Sequence, residues 1–555
     1  MSRSLNLSTK ALLSVAVLTT SLDAQADIGG LIDSQVTPAA EIGVYDPFTG
    51  KYFVTDGSDG LFTTVVGSDA TFGATVGFPI SSPFSGGIEI DAVSSVAIDP
   101  LGRGFGVATL IPNERTVLGK VVAFDTTTNA ILGTFSTSWH PDNVVFSPDG
   151  SKILIANEGD WEADEDEDGT GYLGTNAAGT PGSISVFDVA GIGASPVAAD
   201  FTGLTGSVFD FTPGNLSGGA SLENIRDFAP DNPVGTNQPG DTANFNRVEP
   251  EYIAVSADST KAFVTLQNNN AVGVFDLTTN KWVDIQDLGT ITQTVDASDK
   301  DGILIDDVLK GLPMPDTIQS FTDGNGNLFY VTVNEGDGAL TDFDRAGDLG
   351  VADGGFGNID PTYAGTLDLS DTGLGRIDVS WVDGDTDGDG DIDELIMAGT
   401  RSVTVWDENG NVVYDTGSMF EENLRDNFPS EWQEGRSDNK GPEPEALALG
   451  VIDGDLYAFV GNERTSEIVV LKLLEDGDLN FDGDEPMLVD TFFAPGLTRP
   501  ESLVFISAED SPSGEWILLA TYEDDAGIAS FSVPEPSSLA LLAIGGALIA
   551  RRRRG

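Results

Sequence analysis

The stretch F-S-P-D-G-S-K-I-L-I-A-N-E-G-D, Phe146 to Asp160, contains the unit from which the rest of the chain can be read. Pro148, Asp149 and Gly150 are turn formers: Pro presets φ, Asp caps the turn with its side chain, and Gly accepts a positive φ. Ile153 to Ala156 follow as a short apolar run bounded by turn residues, the pattern of a strand buried on both faces. The run stops at Asn157-Glu158, a pair that turn formation does not require.

That ending recurs. Pro141-Asp142 leads through two strands to Asn157-Glu158, Pro250-Glu251 to Asn268, Pro315-Asp316 to Asn334-Glu335, Pro444-Glu445 to Asn462-Glu463, and Pro500-Glu501 to Tyr522-Glu523. A third strand usually follows as V-x-V-F-D, at 121–125, 184–188, 272–276 and 403–407, and more loosely at 468–472. Units of three or four antiparallel strands with one beginning and one ending predict an all-β chain built as a single β-propeller. Weaker units around 91–125 and 376–407 bring the expected number of blades to seven. A β-sandwich has no reason to repeat an acidic entrance and a polar exit five times. The polar insertions at 161–169, 189–248, 338–372 and 411–442 are expected as loops on the propeller faces. The final strand is expected within 522–533, with N-terminal residues completing its blade.

Composition narrows the partners. Among 555 residues, 90 are acidic and 26 basic, for a formal charge of -64, a field that repels nucleic acid and anionic membranes and attracts cations. With 40% hydrophobic residues in recurring Val/Ile/Phe runs, the chain reads as folded, with acidic loops. The absence of cysteine excludes disulfides and thiolate metal sites.

The ends set the compartment. Arg3 and Lys10 precede the apolar run 11–20, and Ala24-Gln25-Ala26 offers a small-x-small cleavage site, so residues 1–26 read as a signal peptide. At the other end V-P-E-P-S-S (533–538) leads into the apolar segment 539–550 and then Arg551 to Arg554. That order resembles the PEP-CTERM sorting signal of Gram-negative bacteria. The resemblance implies processing of residues 533–555 by an exosortase-type protease, transient membrane association through this segment, and a final place on the outer surface or in the extracellular matrix. Residues 27–532 remain as the propeller domain.

Equivalent positions of successive blades share a radius and a height. Asp142, Glu251, Asp316, Glu445 and Glu501 are therefore expected to form one ring, and Glu158, Glu335, Glu463 and Glu523, with the asparagines beside them, a second. Two readings stand. The carboxylates cap strand ends, or they converge on the axis, where crowding requires raised pKa values or a hard cation such as Ca2+ or another divalent ion. In W-V-D-G-D-T-D-G-D-G-D-I-D-E-L (381–395), Asp385, Asp387, Asp389, Gly390 and Asp393 occupy positions 1, 3, 5, 6 and 9 of a calcium loop, with Ile392 at the apolar position 8. Ile396 stands where position 12 calls for a bidentate Glu, and Glu394 is the nearest substitute. D-G-D-L-N-F-D-G-D-E (476–485) is a weaker candidate. Arg115, Arg376, Arg401 and Arg464 lie beside these motifs, either as anion clamps or as neutralising partners. His140 is the single histidine, and Trp161, Trp381 and Trp432 are candidate carbohydrate platforms.

Quoted together, F-S-P-D-G-S-K-I-L-I-A-N-E-G-D, V-E-P-E-Y-I-A-V (248–255), D-G-D-G-D-I-D-E-L with R-S-V-T-V-W-D, and P-E-P-E-A-L (442–447) with G-N-E-R-T resemble the choice-of-anchor I domain family, secreted proteins also described as mesenchyme-specific cell surface glycoprotein-like. The resemblance implies a propeller-like fold. Some members carry an alkaline phosphatase-like label, so it also implies a phosphoesterase alternative. Two functions follow as expectations. One is a calcium-binding surface or matrix module that binds polysaccharide or a surface protein. The other is a metal-dependent phosphoesterase in which Glu251 and Glu445 hold ions while Arg401 and Arg464 clamp a phosphoester substrate.

Overall fold

The structure is a computed structural model that describes residues 30–58, 60–114, 116–159, 180–223, 225–226, 248–337, 342–352, 357–474 and 486–533. The signal segment, the sorting segment, Arg115, the 161–169 insertion with Trp161, and the 476–485 acidic run lie outside the described residues.

Why Ile153 to Ala156 are apolar without alternation is visible in their packing. Ile153 and Ile155 enter a core cluster with Phe105, Val107 and Val121, whereas Leu154 and Ala156 enter a different one with Ile253, Ala262 and Val264. The strand Lys152–Asn157 is thus covered on both faces by neighbouring sheets. Its preceding turn is as the residue types require: Gly150 has φ +66°, and Asp149 Oδ1 accepts hydrogen bonds from Ser147 Oγ at 2.6 Å and Ser151 N at 2.9 Å.

The chain is predominantly β, with three short α-helices among the described residues. Seven antiparallel sheets follow one another, six of four strands and one of five. In chain order their first strands are Gly43–Asp46, Val96–Ile98, Pro141–Phe146, Ile253–Val255, Ile318–Thr322, Pro444–Ile452 and Thr498–Ile506. Each first strand touches the first strand of the next sheet, and the seventh touches the first. The hydrophobic core follows the same order, one cluster between each pair of consecutive sheets. Phe53 of the first sheet packs with Val96 and Phe124 of the second, and Tyr52 and Val54 pack with Leu519 and Ile528 of the seventh.

The seventh sheet is completed from the N-terminal side. Gly30–Val36 pairs antiparallel with Gly527–Ser532, Leu31 opposite Phe531 and Gln35 opposite Ile528, as the sequence led us to expect. Asp33 Oδ2 accepts from Phe72 N at 2.8 Å, and Gln35 Nε2 donates to Gly73 O at 3.0 Å, so this strand also ties the first sheet to the seventh. Starting the chain after Val36 leaves Gly527–Ser532 as a bare edge. Such a chain is expected to melt at least roughly 5 °C lower, with hydrogen exchange at 527–532 raised selectively; an unchanged melt would remove the clasp role.

Two assignments differ from the sequence reading. Residues 43–79 form a full sheet although they lack the Pro-acid entrance, because Ala40 stands where the other units carry proline. The expected unit at 376–407 is not a sheet of the series. Ser402–Asp407 is instead the third strand of the fifth sheet, paired with Leu328–Asn334. Strands between residues 335 and 401 enter two further sheets, one of three strands and one of five that also takes Ile291–Val295 and Asp307–Leu312. Ile396–Ala398 runs parallel to Asp307–Leu312, and Asp391–Ile392 runs parallel to Asn358–Ile359. These sheets bury Ile359, Ile377, Val379, Ile392 and Met397 around their own core. An insertion with enough apolar residues folds rather than looping, which the polar average of 338–372 concealed. The 411–442 insertion likewise holds a helix, Met419–Asn427, whose Phe420 and Leu424 are buried.

Candidate functional site

The Pro-acid entrance has a structural cause. Pro141 pairs with Asn157, and the next pairing, Val144 with Ile155, skips a residue; the same break separates Pro444 from Ala446 and Pro500 from Ser502. Each is a bulge at the mouth of a first strand, and a bulge re-aims a side chain that the regular pleat would send into a sheet interface. Proline at the first position contributes no N–H and so loses nothing there. In this way Asp142, Glu445 and Glu501 leave the ladder at the same place in three sheets.

The structure brings the five sequence-predicted entrance carboxylates into one shared field and adds a sixth. Burial pushes Asp142 up to about 7, helped by Glu158 and Glu41 against His140. Burial pushes Glu251 well above the usual range, and Glu158, Asp142 and Asp316 add to it. Asp316 is raised by burial, then by Glu335 and Asp142. Glu445 is raised by burial, then by Glu501, Glu335 and Glu463, and Glu501 by burial, then by Glu523, Asp316 and Glu41. Glu41 is the addition, pushed to about 6 by burial, Glu523 and Asp56. It escaped the motif search for lack of a preceding proline. The second sheet supplies no carboxylate at this position; Ser94 stands there and donates to Pro141 O at 2.6 Å.

A cavity of about 480 Å³ adjoins these residues and is lined from all seven first strands, for example by Val44, Ile98, Val145, Val255, Ser320 and Glu501. Tyr252, directly after Glu251, lines it too, where the other carboxylate entrances carry Ile42, Asn143, Thr317, Ala446 and Ser502. Its ring leans on the core cluster of Ala254 and Ile318, and its hydroxyl, raised by burial, faces the field of Asp316, Asp142, Glu501 and Glu445. The Pro-acid pattern does not include it. The signal was an aromatic residue at a position otherwise held by small or aliphatic ones.

The exit pairs divide by role. The asparagines are buried and pin hairpins: Asn157 Oδ1 accepts from Thr137 Oγ1 at 2.8 Å, Asn334 Nδ2 donates to Thr404 Oγ1 at 2.7 Å, and Asn268 Nδ2 donates to Glu249 Oε2 at 2.8 Å. Asn462 Nδ2 donates to Glu467 Oε1 at 2.6 Å, while Tyr522 belongs to the core. The glutamates reach basic partners. Glu158 Oε2 meets His140 Nδ1 at 2.5 Å, Glu335 pairs with Lys440, and Glu463 pairs with Arg499 and, at 3.3 Å, with Arg464. Glu523 meets Arg499 at 3.1 Å.

Three carboxylates approach within 4.8 Å of one another at two places among the described residues. The first is Glu335, Glu443 and Glu463. Glu443, the first acid of P-E-P-E and unnoticed in the sequence, is fully buried. Burial drives its pKa up, but Lys440, Arg436 and Arg464 outweigh that and hold it below the ordinary range. This knot already contains its cations: Lys440 Nζ lies 3.0 Å from Glu443, Arg464 Nε lies 3.2 Å from it, and Arg436 pairs with it as well.

The second place is the calcium-loop sequence, at Asp385, Asp387 and Asp393. Asp385 accepts from Gly388 N at 2.8 Å and Gly390 N at 3.0 Å, and Asp393 accepts from Thr386 N at 3.1 Å, which wraps the chain around the three carboxylates. Gly388 and Gly390 both take positive φ, as the sharp turn demands. Ile392 anchors the loop in the insertion core. Repulsion from Asp389 raises Asp387. These oxygens suit a hard divalent ion, and no basic group is paired with them in the described contacts. Glu394 does not serve as the twelfth-position ligand; it pairs with Lys310 at 2.8 Å.

The arginines are mostly engaged in the wall. Arg401 is buried, with Nη1 donating to Glu421 Oε1 at 2.7 Å and Asp296 O at 2.9 Å, and Nη2 to Ser437 O at 2.8 Å and Asn439 O at 3.0 Å. Where a phosphate clamp was expected, both terminal nitrogens of Arg401 are held by protein, and Nε is buried without a hydrogen-bond partner. Arg376 pairs with Asp299 and Asp438. Arg464 is the one sequence-predicted catalytic arginine that stands at the carboxylate rim. Trp381 packs on the insertion core, and Trp432 Nε1 donates to Glu434 Oε2 at 3.2 Å.

A family model described as "Choice-of-anchor I domain" matches residues 41–476, and one described as "PEP-CTERM protein-sorting motif" matches residues 532–554. Among curated proteins the chain is similar to "Mesenchyme-specific cell surface glycoprotein" of Strongylocentrotus purpuratus, 28% identical over 43% of this chain and 37% of that protein. It is also similar to "Gigasin-3a" of Magallana gigas, 28% identical over 26% of this chain and 60% of that protein. The chain thus spans less than two thirds of the length of these relatives. Among solved structures, the Myceliophteria thermophila Cps50 (Swd1) beta-propeller domain aligns over 91% of this chain and 99% of its own, with a TM-score of 0.43 and 8% identity.

Proposed function

The chain belongs to the choice-of-anchor I domain family and carries a PEP-CTERM sorting motif, and from that premise we propose that it is an exported, surface-associated seven-bladed β-propeller that binds cations. In this reading residues 1–26 are a signal peptide, residues 27–532 are the propeller, and the C-terminal segment is processed by an exosortase-type protease. One observation carries the proposal: six of seven first strands carry a carboxylate beside one cavity, which Glu501 lines directly, and all six are raised by burial and by neighbouring carboxylates. A fold that gathers charge at that cost has use for a counter-charge.

The reading assigns two tasks. The 385–393 loop takes Ca2+ or a similar divalent ion and stiffens the insertion, with Asp385, Asp387 and Asp393 as ligands and Asp389 beside them. The ringed cavity is the binding face, and polysaccharide or a surface protein bearing positive charge is the partner class. The phosphoesterase alternative is weaker, since Arg401 is engaged elsewhere.

Calcium addition tests the first task. Loops of this class bind extracellular calcium with Kd of about 10^-4 to 10^-3 M, so 10 mM CaCl2 against EDTA is expected to add roughly 1.5–2.5 kcal/mol. The Asp385→Asn/Asp387→Asn variant is expected to lose the gain. If the wild-type melt ignores calcium, and metal analysis finds none retained, the loop is only an acidic hairpin.

A further inference from the structure

The ring's geometry is wrong for a metal and right for something larger. Ca2+ needs six to eight oxygens at about 2.3–2.6 Å. Among the described residues three carboxylates come that near one another only in the 385–393 loop and in the lysine-filled Glu335/Glu443/Glu463 knot. The ring residues, each from a different sheet, share an electrostatic field without meeting as a ligand set. Most of the acids around them have basic partners: Glu158 has His140, Glu335 has Lys440, and Glu463 has Arg464 and Arg499. Oε2 of Glu445, by contrast, is closed off from solvent and has no hydrogen-bond partner.

Behind the ring the cavity changes character. Tyr252 lines it directly after Glu251, and partly buried Val44, Ile98, Val145 and Val255 share the wall with Ser95, Gln319 and Ser320. From Asn143 to Phe146 the lining strand advances about 10 Å, deep enough for an extended chain of five carbons. Carboxylates that accept hydrogen bonds, an aromatic side chain beside them, and a channel with aliphatic side chains in its wall are features by which proteins hold alkylammonium groups.

We propose that the cavity lined by Glu501 and Tyr252, beside which Glu41, Asp142, Glu251, Asp316 and Glu445 stand one residue before its lining strands, binds an organic ammonium ion, its nitrogen among the carboxylates and its alkyl stem in the channel. The proposal rests on the reading of the ring as a cation site and names the cation. An alkylammonium reaches this site either as a free diamine or as the lysine side chain of a partner protein.

Calorimetry on the full exported chain at 150 mM NaCl distinguishes the outcomes, with 1,5-diaminopentane, a short uncharged peptide bearing one lysine, and CaCl2 as probes. The diamine is expected to bind, to weaken at least about tenfold in Glu445→Gln/Glu501→Gln through lost charged hydrogen bonds, and to weaken about threefold in Tyr252→Ala but little in Tyr252→Phe. Glu408→Gln, a surface acid paired with Lys261, is expected to leave it unchanged. Tighter binding of the lysine peptide than of the diamine identifies a protein partner, and the reverse a free amine. Displacement of the diamine by millimolar calcium in a ring-dependent manner overturns the ammonium assignment while leaving the ring a cation site. If neither amine nor calcium responds to the ring variants, the ring reading itself falls. Thermal melts of each variant establish that it is folded, and the Tyr252 pair reports on the site even should the double variant fail to fold.

Discussion

Arg401→Met is expected to destabilise the protein by about 3–5 kcal/mol, the range for breaking a buried ion pair from one side. The guanidinium joins three segments that are remote in sequence. Through Nη1 it holds Glu421 in the helix Met419–Asn427 and the carbonyl of Asp296, and through Nη2 the carbonyls of Ser437 and Asn439. Methionine fills much of the volume but leaves the Glu421 carboxylate buried without a charge partner. Burial already pushes that carboxylate up, and Arg401 opposes the push. The double variant Arg401→Met/Glu421→Met removes both charges and is expected to recover a large part of the loss. Urea melts at pH 7.5 measure both, and a single-variant loss under about 1 kcal/mol would falsify the tie.

Acidification from pH 8 to about pH 5.5 is expected to raise the melting temperature of the calcium-free protein by roughly 3–5 °C. Asp142 titrates near 7 and Glu41 near 6 in the folded chain, both above their unfolded values, and Glu251, Asp316, Glu445 and Glu501 are raised further. Over the window between the unfolded and folded values the native state holds protons that the unfolded chain has released. Stability from these groups is therefore present at low pH and is lost as pH rises through about 6 and 7. Asp296 and Glu467, each pushed to about 7 chiefly by burial, act in the same direction. Asp299 acts oppositely: Arg376 and Lys300 outweigh burial and hold it near 2, so its contribution survives until well below pH 4. Glu445→Gln/Glu501→Gln is expected to raise the melt at pH 8 by a few degrees and to flatten the slope. Calorimetric scans across pH decide this; a variant whose slope matches the wild type shows that Glu445 and Glu501 do not carry the pH dependence.

Much of this was legible in residues alone. The Pro-acid entrances marked the mouths of first strands, where the pairing breaks at 141, 444 and 500 lie, and D-T-D-G-D-G-D-I-D announced a loop whose carboxylates converge. Both are local: a proline, a glycine or an Asx turn acts within a few residues, so its effect is written where it acts. Glu41, Glu443 and Tyr252 were not legible. Glu41 lacks the proline, Glu443 matters only because Lys440, Arg436 and Arg464 surround it, and Tyr252 matters only because four other sheets send acids toward its hydroxyl.

Spacing and turn chemistry by themselves determined that the chain is predominantly β, that its units repeat, and that five of them open on an acid and four of those close on an amide. What an acid at the opening does was decided by tertiary structure, because its pKa depends on neighbours hundreds of residues away. So was the fate of the Asn-Glu pair after I-L-I-A: Asn157 is consumed in tying its strand to Thr137 and Ser185, and Glu158 faces His140 and the shared field of the ring. Strand periodicity is a property of the nearest few residues. Charge is felt across the molecule, and only the fold brings its sources together.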